Sequence, residues 1–225
     1  MAVVFVIATV LLCLAVNMVT VWWMKRRAAE QMGLAGQRPF LDVRFPCGLF
    51  LCQNHSWVRL TDSGELRIGA DELITQALGG ADRIELPAVG SEVRRGDPLA
   101  TVWRLGRKIV LRTPSSGTVV RINDSLRKRA QGFGMDPYGI DWLVTLWPVE
   151  HTETLKHLRV GERATRWLER EIKRLTELLA AHTAPSSLDA VLADGAHPVV
   201  GSLLSLDDEG WLEFQEEFFA TPELS

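Results

Sequence analysis

The chain has 225 residues, a formal net charge of −3 and 47% hydrophobic residues, enough for one compact domain with extensions but not for two large ones. So small a net charge says little about partners, and three cysteines are few for a disulfide-framed fold.

From Ala2 to Met24 no residue is charged, only Thr9, Asn17 and Thr20 are polar, and Trp22 and Trp23 close the run. At about 1.5 Å per helical residue such a run crosses a hydrocarbon core of roughly 30 Å, with the tryptophans at interfacial depth. Lys25, Arg26 and Arg27 follow, and no basic residue precedes them. The positive-inside bias therefore places the N-terminus outside and the main domain in the cytoplasm. A cleaved signal peptide would carry its positive charges before the apolar run, so residues 1–27 are expected to be a retained single-pass anchor. Residues 28–45 mix Gly, Pro and both charges without a period and read as a juxtamembrane connector.

Cys13 falls in the apolar run, while Cys47 and Cys52 precede His55. Two thiols and one imidazole are an incomplete zinc set, a reducing cytoplasm disfavours a disulfide, and burial is the ordinary fate of cysteine, so no metal is expected. From 46 to 150 short apolar runs alternate with turn signals at 61–64, 89–90, 95–98 and 114–117, the pattern of a small β barrel or sandwich. One helix interrupts it over 70–80, with an acidic first turn and a glycine stop. Residues 151–225 form a helical C-terminal extension. In it Ala164, Leu168, Ile172, Leu175 and Leu179 make an amphipathic stripe over 160–182, and Trp211, Phe214 and Phe218 share one side of an acidic helix over 207–219. These stripes either fold back on the domain or bind a neighbouring subunit.

A string of motifs between about 53 and 148 resembles the glycine cleavage system H protein family. His55-Ser56-Trp57-Val58 comes first, then Arg67-Ile68-Gly69, Ala77-Leu78-Gly79 and Glu85-Leu86-Pro87-Ala88-Val89-Gly90. Gly96-Asp97-Pro98-Leu99-Ala100, Pro114-Ser115-Ser116-Gly117 with Asn123, and Asp136-Pro137-Tyr138-Gly139 with Trp142 complete it. The resemblance implies a mainly β, lipoyl-type barrel-sandwich hybrid with flanking helices. It also implies a hairpin whose tip offers a lysine for lipoylation, eight residues before the proline of Pro-x-Ser-Gly. Counting back from Pro114 puts Gly106 in that place, in the stretch Thr101-Val102-Trp103-Arg104-Leu105-Gly106-Arg107-Lys108. Glycine cannot form the amide, so the expectation is a chain without lipoate or other cofactor. Lys108, two positions on, is the one residue there that could carry it.

Between Arg94 and Arg129 ten basic residues stand against Asp97 and Asp124, about +8 for the segment. This is either a solvated face offset by the acidic tail or a docking surface for an acidic partner or anionic headgroups beside a bilayer. Trp103, Arg104, Leu105, Arg107, Lys108 and Arg112 are its candidate contacts, since aromatic and Arg side chains anchor interfaces. No stacking motif accompanies the charge, so nucleic acid is not expected. The five histidines (His55, His151, His157, His182 and His197) show no metal spacing, and no nucleophile elbow or phosphate loop is present, so the chain is not expected to be an enzyme.

Together these features describe a membrane-tethered, non-lipoylated accessory or scaffold subunit. It would dock partner subunits at the cytoplasmic face of a bacterial inner-membrane complex. The alternatives are a lipoate-dependent carrier using Lys108 to shuttle acyl or reducing equivalents, and an efflux-adaptor-like protein. Against the last, such adaptors face the periplasm and carry coiled-coil hairpins, which the inward charges and the missing heptads do not match.

Overall fold

The computed structural model describes residues 45–150, 154, 156, 158–183, 192–193 and 197–219. The expected anchor, and all of the connector but Phe45, lie outside these residues. Among the described residues no helix is long and apolar enough to cross a membrane.

The β-branched and leucine-rich runs form strands with alternating burial, as expected of residues suited to a pleated, half-buried surface. A six-stranded antiparallel sheet is built from β1 (Phe50–Leu51), β2 (Ser56–Leu60), β3 (Leu66–Ala70), β5 (Glu92–Val93), β8 (Gly117–Ile122) and β9 (Val144–Pro148). Its order is β1-β2-β3-β9-β8-β5. A three-stranded antiparallel sheet takes β4 (Arg83–Glu85), β6 (Pro98–Arg104) and β7 (Arg107–Arg112), with β6 in the centre. Trp57, Ile68, Val119 and Leu146 of the larger sheet and Ile84, Val102 and Ile109 of the smaller one belong to one buried core. The Ser-Ser-Gly turn is needed where β8 crosses β9: a Cβ on Gly117 would sit 2.3 Å from the carbonyl oxygen of Trp147, closer than any side chain allows.

Helix α1 (Glu72–Leu78) matches the expected interruption: the Asp71 carboxylate accepts the Ile74 N–H at its start, and Gly79 ends it. Helix α2 (Asp124–Lys128) is capped in the same way by Asn123, whose side-chain NH2 also donates to the carbonyls of Ile140 and Trp142.

The C-terminal extension folds back. Helix α3 (Glu162–His182) buries Ala164, Leu168, Ile172, Leu175 and Leu179, the stripe read from the sequence. Helix α4 (Asp208–Phe219) buries Trp211, Phe214 and Phe218. Between them a small hairpin pairs β10 (Leu192–Ala193) with β11 (His197–Pro198), and a 3-10 turn spans Ser202–Ser205. The apolar faces of α3 and α4 join the same core as the sheets, so the core runs on past residue 150.

Candidate functional site: the β6–β7 hairpin

β6 and β7 pair Trp103 with Lys108 and Arg104 with Arg107, leaving the two-residue turn Leu105-Gly106. Both turn residues have positive φ, 48° and 82°, the geometry of the type I′ turn that suits the right-handed twist of a hairpin. Gly106 takes this without cost, whereas Leu105 is strained. Asp82 holds the strained residue in place: its carboxylate accepts the Leu105 N–H at 2.6 Å and an Arg104 guanidinium N–H at 2.9 Å. Leu105 is left 60% exposed at the summit.

One rung below the turn, Arg83, Trp103 and Lys108 lie side by side across β4, β6 and β7. The Arg83 guanidinium lies 5.0 Å and the Lys108 Nζ 5.7 Å from the Trp103 ring centroid. Arg107 points the other way, into the C-terminal extension. It donates to the carbonyls of Leu203 at 3.3 Å and Leu206 at 2.6 Å, stacks 5.0 Å from the Trp211 ring and stands 3.6 Å from the Asp208 carboxylate. Arg112 donates to the Gly96 carbonyl.

The candidate docking residues are thus on one hairpin but do not make one free cationic face. The basic segment is neutralised in part by carboxylates outside it: Arg104 by Asp82, Arg107 by Asp208 and Arg121 by Glu65. Within it Arg127 meets Asp124, and its last residue, Arg129, meets the buried Asp141 beyond it at 2.7 Å.

Sequence reasoning missed a second cluster. His55 is fully buried with φ 57°, its Nδ1 2.7 Å from the Asp71 carboxylate and its Nε2 3.7 Å from Glu171 of α3. The rings of Trp167, Phe218 and Phe219 lie 5.0, 5.5 and 5.9 Å from the imidazole. Burial works against the imidazolium, but the two carboxylates outweigh it and lift His55 from 6.5 to about 9. Glu171 is held below its ordinary range against its own burial by His55 and by Arg174, which donates to it at 2.6 Å. The signal in the sequence is an acidic residue inside the apolar stripe of α3: Glu171 follows Leu168 by three positions and precedes Leu175 by four. His55 keeps the structural role expected of it. Cys52 is buried, with its thiol pushed up to about 12 by burial, while Cys47 is exposed. Among the described residues no group of side chains has metal-binding geometry.

The glycine cleavage H-protein family profile matches residues 49–171, more than half of the chain. The chain belongs to this family. It is 31% identical over 122 residues to a probable glycine cleavage system H protein of Thermococcus gammatolerans, covering 54% of this chain and 90% of the relative. With the glycine cleavage system H protein of Oceanobacillus iheyensis it shares 33% identity over 111 residues, 49% of this chain and 87% of the relative. A crystal structure of the H protein from Mycobacterium marinum superposes with a TM-score of 0.47 at 25% identity, over 56% of this chain and 98% of that one. The family match ends at Glu171, within α3.

Membership also corrects the expectation of a chain without a cofactor. The matching relatives are H proteins, a family of lipoate carriers, and one glycine at an aligned position does not remove the chain from that chemistry. The turn itself does not fit the group, because Gly106 has no side chain to acylate. Lys108 offers an exposed amine one rung below.

Proposed function

We propose that the chain is a membrane-held H-protein-like subunit whose working part is the β6–β7 hairpin, which docks a partner protein of a membrane complex at the cytoplasmic face. The observation that carries this reading is the preorganised tip. Leu105 stands 60% exposed on a turn whose flanking arginines are each fixed to a neighbour, so little entropy is lost when the tip meets a partner. Trp103 and Leu105 supply the apolar centre. Anchoring rests on the apolar run from Ala2 to Met24 and the cations after it. The family domain's part is presentation and carriage, with no catalysis of its own. The test is affinity purification of the full chain in mild detergent from its native cell, with Leu105→Asp and Trp103→Ala combined. The co-purifying subunits should be lost, and their undiminished recovery would overturn the docking reading.

A second reading is favoured by the position of Lys108, the hairpin's lysine: it carries lipoate through an amide at Nζ and presents it beside the docking tip. Intact-mass measurement on natively expressed protein, with Lys108→Arg as control, reads this directly. The added mass should vanish in the variant, and an unmodified native chain would overturn the carrier role.

A further inference from the structure

Across the larger sheet one row of residues reads Arg59, Arg67, Thr145 and Arg121, on β2, β3, β9 and β8. The adjacent row on β2, β3 and β9, Val58, Ile68 and Val144, is buried in the core, so Arg59 and Arg67 occupy the opposite face. Arg121 is neutralised by Glu65. Arg59 and Arg67 stand directly opposite each other, where like charges repel. Among the described residues no carboxylate pairs with either of them. The acids of the 136–142 loop, which covers part of this face, are committed within it and to Arg129: Asp136 accepts the Ile140 N–H, and Asp141 accepts those of Gly134 and Asp136 and one from Arg129.

Both guanidiniums are nonetheless fixed in place. Arg59 donates to the Tyr138 carbonyl at 3.1 Å and lies 5.8 Å from the Trp57 ring centroid, while Arg67 lies 5.3 Å from that of Trp142. Trp57 is itself held by its indole N–H on the Pro137 carbonyl. The row also has polar atoms that the chain leaves unmet. Arg67 Nε and the hydroxyl of the fully buried Thr145 opposite it have no hydrogen-bond partner among the described residues, whereas buried polar groups are as a rule satisfied.

We propose that this face of the larger sheet binds a phosphate-type oxyanion between the guanidiniums of Arg59 and Arg67. Two adjacent, unpaired positive charges match a dianion, and the planar guanidinium fork matches its oxygens two at a time. The bound anion also relieves the repulsion across the strand pair. The site lies on the larger sheet, apart from the hairpin, and does not depend on the identity of any docked partner.

Isothermal titration calorimetry of the full chain in neutral detergent at fixed ionic strength, with inorganic phosphate as the probe, tests it. Saturable binding should be at least about tenfold weaker in Arg59→Gln and also in Arg67→Lys, which keeps the charge and loses only the fork. A second titration carries phosphatidic acid in the detergent micelles. Binding there without binding of inorganic phosphate, lost in the same two variants, assigns the phosphate to a lipid headgroup. No saturable binding in either titration would overturn the site. Full affinity in Arg67→Lys would overturn it too, as would an equal loss in Arg83→Gln on the smaller sheet, since both mark diffuse attraction to positive charge.

Discussion

The C-terminal helices meet the β domain in two places that use charge in opposite ways. At His55 an imidazolium is buried between Asp71 and Glu171 among three aromatic rings, out of contact with bulk solvent. At the hairpin, Asp208 is fully exposed, and the part-exposed Arg107 is held mainly by the carbonyls of Leu203 and Leu206 and the ring of Trp211. Desolvation makes the first contact expensive to break, and screening makes the second cheap. Charge is therefore costly to disturb at His55 and cheap to disturb at the Arg107–Asp208 pair.

The most damaging way to test this contrast is Asp71→Ala. It leaves the His55 charge with Glu171 alone at 3.7 Å and removes the acceptor for the Ile74 N–H. Stranding a buried charge costs about 3–5 kcal/mol, a large share of the ~5–15 kcal/mol that holds most domains together. Urea unfolding should show the unfolding free energy falling by that amount, or the chain failing to fold. A loss under about 1 kcal/mol would mean that the pair is not sealed from water.

Proton linkage gives the next largest effect. His55 is raised from 6.5 to about 9 in the folded chain. Below pH 6.5 both folded and unfolded states bind the proton and the full contribution is present. Between pH 6.5 and 9 only the folded state keeps it, so stability declines as pH rises, and above about 9 the contribution is gone. The span corresponds to about 3 kcal/mol. Urea midpoints measured from pH 6 to 10 should fall through this window in the parent and stay flatter in His55→Gln; parallel profiles would assign the proton elsewhere.

At the hairpin end the expected costs are smaller. Asp82→Ala removes the acceptor for the Leu105 N–H and the partner of Arg104, contacts near the surface that together contribute about 1 kcal/mol. Faster exchange of the turn amides, with little change in the urea midpoint, should accompany it.

How far these two places could be read in the sequence follows from how local their parts are. The cap at Asp71, the stop at Gly79, the stripe of α3 and the Leu-Gly turn are written within a few residues of one another, and the structure follows them closely. The family motifs supplied the β domain in the same way. The partners of the site were not local. Arg107 bonds to Leu206, 99 residues away, and Asp82 reaches Leu105 across 23. No spacing rule announces such pairs, so the arginines looked free when read as a basic run. Glu171 could have been found as the acidic residue inside an apolar stripe. That His55 was its counterpart depends on how α3 packs beside the turn before β2, which only the packed core decides.

The smallest effect runs in the stabilising direction and tests whether the tip is built for stability or for contact. Leu105 holds a left-handed backbone at φ 48° with its side chain 60% exposed, so the fold gains little from burying it and bears the strain of a branched residue in that region. Asn tolerates the conformation, and Asn-Gly is the preferred pair for a type I′ turn. Leu105→Asn should therefore raise stability by roughly 0.5–1 kcal/mol, read as a higher urea midpoint with an unchanged slope. It should weaken recovery of a docked partner at the same time, because the apolar summit is gone. A variant that is more stable and binds equally well would show that the leucine at the tip serves neither the fold nor the interface.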